Sequence, residues 1–531
     1  MPHPRKPSAL AAAAALVAGL AAATGAQAQQ NLAIGFADPI SSADPELNNH
    51  AGDRSLALHF WDSVVNSRDG SRLEPALASS WKTLDDRTWE FKLRNDVKWQ
   101  DGTPFTADDV VYSFQRARNV PGSVASYAGA LRTVESATAK DPQTLIVRTS
   151  TPNPMLPLDI ASIYVVSRHV GEKSKTEDYN AGRAMVGTGP YKFISYSPGD
   201  RAVFERNPGY HGPKPLWDKV TYRYINNGAA RTAALLAGDV DVIDKVAVTD
   251  VEKLKKTPSV SVYVYPGLRA LLLQPSFRAG PNEFITDNDG KPLEKNPLQD
   301  VRVRRALSVA INRKAIVDRV LQGTVTEANQ WMPRDTFGYN PEVKDIPYDV
   351  ERAKKLLADA GFPQGFRITI HVPGDRYPQA PEAVQAVAQF WSRAGVRTQV
   401  EVVPWAVYSS RANKNEYAVS VIAWGNGTGE AGYGLLQTLA TTDAKRGRGA
   451  NNWGRYGNEA VDKALDAATV EFDAPRRAAI FRHAVQLVND DVGNIPLFHY
   501  QNIWAAKKGL KVVPLLSDRT TAMQVTRVGA K

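Results

Sequence analysis

The stretch from Phe366 to Val403 constrains the fold of this chain more than any other. An apolar strand, Phe366 to Val372, leads into the polar loop Pro373-Gly374-Asp375-Arg376-Tyr377-Pro378, then a helical stretch from Pro381 to Ala394, then a second strand from Val396 to Val403. Strands joined through a helix run parallel, because a parallel pair needs a crossover of about a dozen residues or more, and the helix must bury its apolar stripe on the sheet. Layered α/β architecture follows. The helix Arg231 to Gly238, closed by its glycine, and the strand Asp239 to Ile243 repeat the pattern. So do two further helical stripes. Ala353, Leu356, Leu357 and Ala360 form one that ends at Gly361, and Val301, Ala306, Val309, Ala310, Ile316, Val317 and Val320 form another between Asp300 and Leu321. A chain of 531 residues exceeds what one core organises, so two or three lobes are expected.

Antiparallel elements are written as clearly. Tyr191 to Tyr196 and Arg201 to Arg206 read as strands joined by Ser197-Pro198-Gly199-Asp200, in which proline presets φ at the second turn position and glycine supplies positive φ at the third. Thr88 to Leu93 alternates as a half-buried strand, Gln100 to Pro104 is a turn, and Thr106 is placed to cap a helix from Ala107 to Arg118. The strand Asn31 to Phe36 opens into Ala37-Asp38-Pro39.

Composition removes whole classes of chemistry. Without cysteine, the chain has no disulfide, thiol nucleophile or cysteine metal site. Its formal charge of +10 is dispersed, and the densest patches, Val301-Arg302-Val303-Arg304-Arg305 and Lys445-Arg446-Gly447-Arg448, read as solvated faces rather than a nucleic-acid site. The start carries an address: His3, Arg5 and Lys6 precede an apolar run from Leu10 to Ala23 and the small-residue site Ala26-Gln27-Ala28. That pattern predicts a signal peptide, residues 1–28, removed on export to a periplasm. No H-E-x-x-H, G-x-S-x-G or P-loop occurs, and the histidines lack metal-ligand spacing. Gly427-Thr428-Gly429-Glu430-Ala431-Gly432 is formally a G-x-G-x-x-G, but the acid expected about 20 residues later is absent, so a nucleotide-dependent oxidoreductase is the weaker alternative. Cofactor and metal are both expected to be absent.

Leu73 to Phe114, the central hairpin with its GTGPY entry and NPGYHG exit, the helix-glycine-DVD element, Asp300 to Leu321, and the C-terminal NNWGRYGNEAVDKAL with Asn494 to Tyr500 occur in a fixed order. Together they resemble the family-5 solute-binding proteins of bacterial ABC transporters, the dipeptide, oligopeptide and nickel binders. The resemblance implies a type II periplasmic binding protein-like α/β fold of two lobes, with a third subdomain inserted in the first. It places residues 29–62, 185–270 and 495–531 in lobe Ia, 63–184 in subdomain Ib, and 271–494 in lobe II. It also implies hinges near Tyr265 to Leu273 and Asp491 to Pro496, no enzymatic activity, a monomer without nucleic acid, and an inner-membrane ABC permease as partner for a small solute. That solute is most readily a peptide or peptide-like compound, with an opine, sugar or metal chelate as the alternative.

Site residues follow from the resemblance position by position. Arg376 falls where dipeptide-binding relatives hold the ligand's carboxylate, for which a guanidinium's two parallel donors are well shaped. Trp424 matches the tryptophan that ends the cleft strand, but Gly427 stands where the aspartate that neutralises a peptide ammonium is expected. Glu430 either substitutes for it or holds the loop. Gly425, Asn426 and Thr428 complete that loop, and Trp405 and His499 are expected as cleft walls.

Overall fold

The computed structural model describes residues 30–69, 72–425 and 427–529. The leader and Asn426 lie outside them. A sheet of twelve strands joins the N-terminal, central and C-terminal parts of the chain, and two long antiparallel strands, Val260–Pro275 and Ile495–Lys507, form its spine. Before Pro266 the spine continues, through Ala505 and Ala506, onto Val242–Ile243, which pairs parallel with Asn31–Phe36; Lys219–Tyr224 lies parallel on the other edge of Asn31–Phe36. After Arg269 it pairs instead with Val419–Gly425, itself parallel to Arg367–Pro373. The register shifts between Pro266 and Ala270, where the spine changes partners. Two lobes on a common spine result, as the resemblance implied.

The crossover that sequence alone demanded is present: Arg367–Pro373, the helix Ala380–Arg393, and Arg397–Val403, paired in parallel from Arg367↔Arg397 to Pro373↔Val403. Around it the spine is buried on both faces. Leu271 and Leu273 enter one core with Val419, Val421 and the crossover helix, while Ala270 and Leu272 enter another with Ile422, Trp331 and Phe481. Alternate side chains of one strand thus bind two layers. The hairpin closes as read, with Gly199 at φ +73° and the Asp200 amide donating to the Ser197 carbonyl at 3.1 Å. Asp109 accepts from the Thr106 amide at 2.9 Å, completing a capping box at the helix Ala107–Ala117, and a four-stranded antiparallel sheet packs beside it.

Three expectations are adjusted. Only Val242 and Ile243 of the Asp239 to Ile243 segment are strand, because Asp241 turns its carboxylate onto the Ala33 amide at 2.7 Å. The Asp300 to Leu321 stripe breaks into Val301–Val309 and a second helix starting at Arg313, because the Asn312 side chain accepts from the Ala315 amide and caps a new start. Arg304, read as solvated, is 2% exposed and donates to the carbonyls of Leu298, Gln299, Asp491 and Val492. Among the described residues, no helix is long and apolar enough to cross a membrane and no group of three or more His, Asp or Glu side chains could hold a metal ion.

Candidate functional site

Ligands of open α/β sheets bind beyond the carboxyl ends of the strands. In lobe II the parallel strands Arg367–Pro373 and Val419–Gly425 end at one edge, so the loops after Pro373 and Gly425 are neighbours there. In lobe I the parallel strands Asn31–Phe36, Lys219–Tyr224 and Val242–Ile243 deliver Asp38 and Lys245 to the corresponding edge. The two walls adjoin at the shifted register of the spine.

On the lobe II wall Arg376 is exposed, and its guanidinium lies over the Trp405 ring at 5.3 Å from the centroid. The neighbouring Asp375 is spent on the first helical turn, accepting from the Trp405 amide at 2.8 Å. Among the described residues no carboxylate is within ion-pair distance of Arg376, an exposed guanidinium stacked over an indole. Trp424 is half-buried, 6.1 Å from the exposed Tyr433 ring, and its Nε1 is shielded from water without a protein acceptor. Such a donor is suited to a solute oxygen. At Gly425 an added Cβ would meet the Arg269 guanidinium at 3.1 Å, and Arg269 donates to the Ala423 carbonyl at 3.1 Å. Gly427 is exposed, with nothing within 4 Å of where a Cβ would stand.

The glycine loop serves packing. Thr428 Oγ1 accepts from the Glu430 amide at 3.4 Å, and Glu430 begins the helix Ala431–Thr438. The Glu430 carboxylate is 3% exposed and accepts from Arg477 Nε at 3.3 Å; burial raises its pKa to about 7 against the pull of Arg477. A Cβ on Gly432 would stand 2.8 Å from the Phe481 ring. A buried carboxyl group at the helix start is the reverse of what a pyrophosphate needs. Of the two roles considered for Glu430, this geometry is that of a loop-holding ion pair.

His499 lies within the spine, opposite Ala270 and Thr326, 7% exposed. Its Nε2 is 3.3 Å from the Trp331 carbonyl, and burial lowers its pKa to about 4, so it is neutral at ordinary pH. The structure therefore brings Arg376, Trp405, Trp424, Gly425, Gly427 and Thr428 to one wall, and sets Glu430 and His499 behind it.

Sequence reasoning missed most of the facing wall. Lys245, at φ +44°, bridges Asp38 at 2.7 Å and Asp518 at 3.6 Å. Burial raises the Asp518 pKa, but Lys245, Arg269 and Arg519 together hold it below the usual value, and both strand systems contribute to that set.

Residues 72–446 match the profile of the bacterial extracellular solute-binding proteins, family 5 (middle part). The chain belongs to the family-5 extracellular solute-binding proteins. This solute-binding protein is 29% identical to the heme-binding protein A of Haemophilus influenzae over 464 residues, covering 83% of the chain and 81% of that relative. It is 26% identical to the dipeptide-binding protein of Escherichia coli, with 86% and 88% covered. Among solved structures, HbpA2 from Haemophilus parasuis superposes with a TM-score of 0.80 at 25% identity, covering 94% of this chain and 99% of that one. The family shows what the cleft is for, namely capturing a solute outside the cytoplasmic membrane for an ABC importer.

Proposed function

We propose that this protein is a periplasmic, leader-processed and monomeric binding component without enzymatic chemistry or nucleic-acid partner. It closes its lobes around a peptide-like solute, grips an acidic group with Arg376, and leaves a free peptide ammonium without a partner at Gly427. The observation that carries this reading is the Arg376 guanidinium, stacked on Trp405 at the strand-end edge with no carboxylate of the described residues within ion-pair distance. Relatives named for dipeptides support a peptide-like cargo, and one named for heme shows that the fold accepts others. Lobe Ia comprises 29–62, 185–270 and 495–531, subdomain Ib 63–184, and lobe II 271–494, with the working hinge at the register shift between Pro266 and Ala270. The second hinge segment, Asp491 to Pro496, crosses the lobe boundary after residue 494 and carries two anchors, Arg304 on the Asp491 carbonyl at 2.6 Å and Arg313 on the Pro496 carbonyl at 2.8 Å.

The test begins with mass spectrometry of the solute that co-purifies with periplasmic protein. Calorimetric titration of that solute into wild type and Arg376→Ala follows. Loss of a charge-assisted pair is expected to weaken binding by about 10- to 150-fold. Unchanged affinity in Arg376→Ala, or a solute without an acidic group, refutes the reading.

A further inference from the structure

Two contacts join subdomain Ib to lobe II without passing through the spine. The first is apolar. Phe472 stands between the helices Glu459–Val470 and Ala474–Asp490 of lobe II, yet among the described residues the hydrophobic core it packs against is that of the first lobe, and neither core of the second includes it. Its ring lies 6.1 Å from the Trp89 ring, at 32°. Trp89 belongs to the four-stranded sheet, which shares no strand pairing with the twelve-stranded one. The second contact is polar. An added Cβ on Gly447 would stand 2.6 Å from the Arg132 guanidinium, so Arg132 lies directly against the backbone of the Lys445-Arg446-Gly447-Arg448 loop. That basic loop can receive a cation because Arg446 and Arg448 are both paired with Asp466.

Each partner is held by its own half of the molecule. In lobe II the chain is fixed on both sides of Phe472: the Glu471 carbonyl accepts from Arg477 Nη1 at 3.0 Å, the Glu471 carboxylate from the Asp473 amide at 2.7 Å, and the Asp473 carboxylate from the Arg476 amide at 2.9 Å. The Gly447 carbonyl accepts from Gln437 Nε2 at 2.9 Å. In subdomain Ib, Trp89 stacks on Phe91 at 6.3 Å and donates from Nε1 to the Asn153 carbonyl at 3.2 Å. Asn153 Nδ2 in turn donates to the hydroxyl of Thr133, next to Arg132, at 2.9 Å. Surfaces ordered in advance lose little conformational freedom on meeting. A swing about the register shift between Pro266 and Ala270 would part both contacts together, exposing the Phe472 ring at a cost in free energy.

We infer that subdomain Ib is a latch for lobe II: Phe472 docks beside Trp89 and Arg132 settles on the Gly447 loop only when the cleft is shut, so that contacts within the protein help the solute to hold it closed. This rests on the lobe division and closure proposed above, and goes beyond the Arg376 reading because it needs no contact with the solute. A latch adds to closure whatever is bound. It therefore scales the affinity for every solute by one factor, through slower release rather than faster capture.

The chain has no cysteine, so Lys140→Cys in subdomain Ib and Lys463→Cys in lobe II, both exposed, accept spin labels without background. Pulsed electron resonance then reads the distance between the lobes in protein as isolated from the periplasm, and in the same protein stripped of cargo by unfolding and refolding. Wild type is expected to show a shorter and a longer distance, the shorter one favoured as isolated. In stripped protein, Phe472→Ala should lower the ratio of short to long by about 10- to 100-fold, and Phe472→Leu by less. Arg132→Gln, a change at an exposed side chain, should lower it by about 3- to 10-fold and carries the test if Phe472→Ala fails to fold. Thermal melts establish that the variants are folded. Two distances whose ratio is the same in wild type and in the folded variants overturn the latch and leave closure standing. A single distance in every wild-type sample overturns closure itself, and the latch with it.

Discussion

Replacing Gly427 by aspartate should convert the protein's preference between blocked and free peptide amines. Nothing stands within 4 Å of the new Cβ and the position is exposed. The substitution should therefore change folding stability by no more than about 0.5 kcal/mol. In the cleft a carboxylate about 4 Å from an ammonium attracts it by about 4 kcal/mol at an effective dielectric of about 20. Desolvation and side-chain ordering reduce that to about 1.5–3 kcal/mol net, the usual yield of a charged hydrogen bond. The ratio of affinities for Ala-Phe over N-acetyl-Ala-Phe should then rise by about 10- to 150-fold relative to wild type. Isothermal titration of the two dipeptides into both proteins reads this ratio directly, and a thermal melt confirms that the fold is unchanged. If the ratio is the same in both proteins while both dipeptides bind, position 427 does not face the amine. If wild type already prefers the free amine tenfold or more, another group neutralises it and Gly427 is not the reason for any discrimination.

Arg304→Met should lower stability by about 3–5 kcal/mol, because the guanidinium ties the second lobe's opening helix to the Asp491 and Val492 carbonyls and its loss leaves buried acceptors unanswered. Urea denaturation should show a reduced midpoint at unchanged slope. His499 contributes a pH-dependent term of known sign: its folded pKa of about 4 lies below the unfolded value of about 6.5, so the unfolded state takes up the proton first and stability from this group is lost as pH falls from about 6.5 to 4. The stability of wild type relative to His499→Gln should decline by up to about 3 kcal/mol across that window in paired denaturation curves, and a constant difference would show that the imidazole is not buried neutral.

Much of the architecture is local information. Asn31–Phe36 and Thr88–Leu93 form the strands that their own alternation specifies, and the proline and glycine of the Ser197–Asp200 turn suffice to set its geometry, because φ preferences and side-chain periodicity act within a few residues. The Phe366 to Val403 crossover likewise dictates a parallel pair before any tertiary contact is known. Arg376 and Trp405 each follow a strand that the sequence specifies, but their place as site residues came from the resemblance to relatives and not from the local pattern. Charges are another matter. Arg304 carries the same residue letter as its exposed neighbour Arg302, and only the packing of the helix Val301–Val309 against Asp491 decides which of them is buried. Whether Glu430 meets a ligand or Arg477 depends on how a distant helix, Ala474–Asp490, lies against the loop. The sequence alone determined strands, turns and the parallel crossover, whose rules are short-range; tertiary structure decided which charges are answered, because that depends on which carboxylates and carbonyls the finished fold brings within about 4 Å.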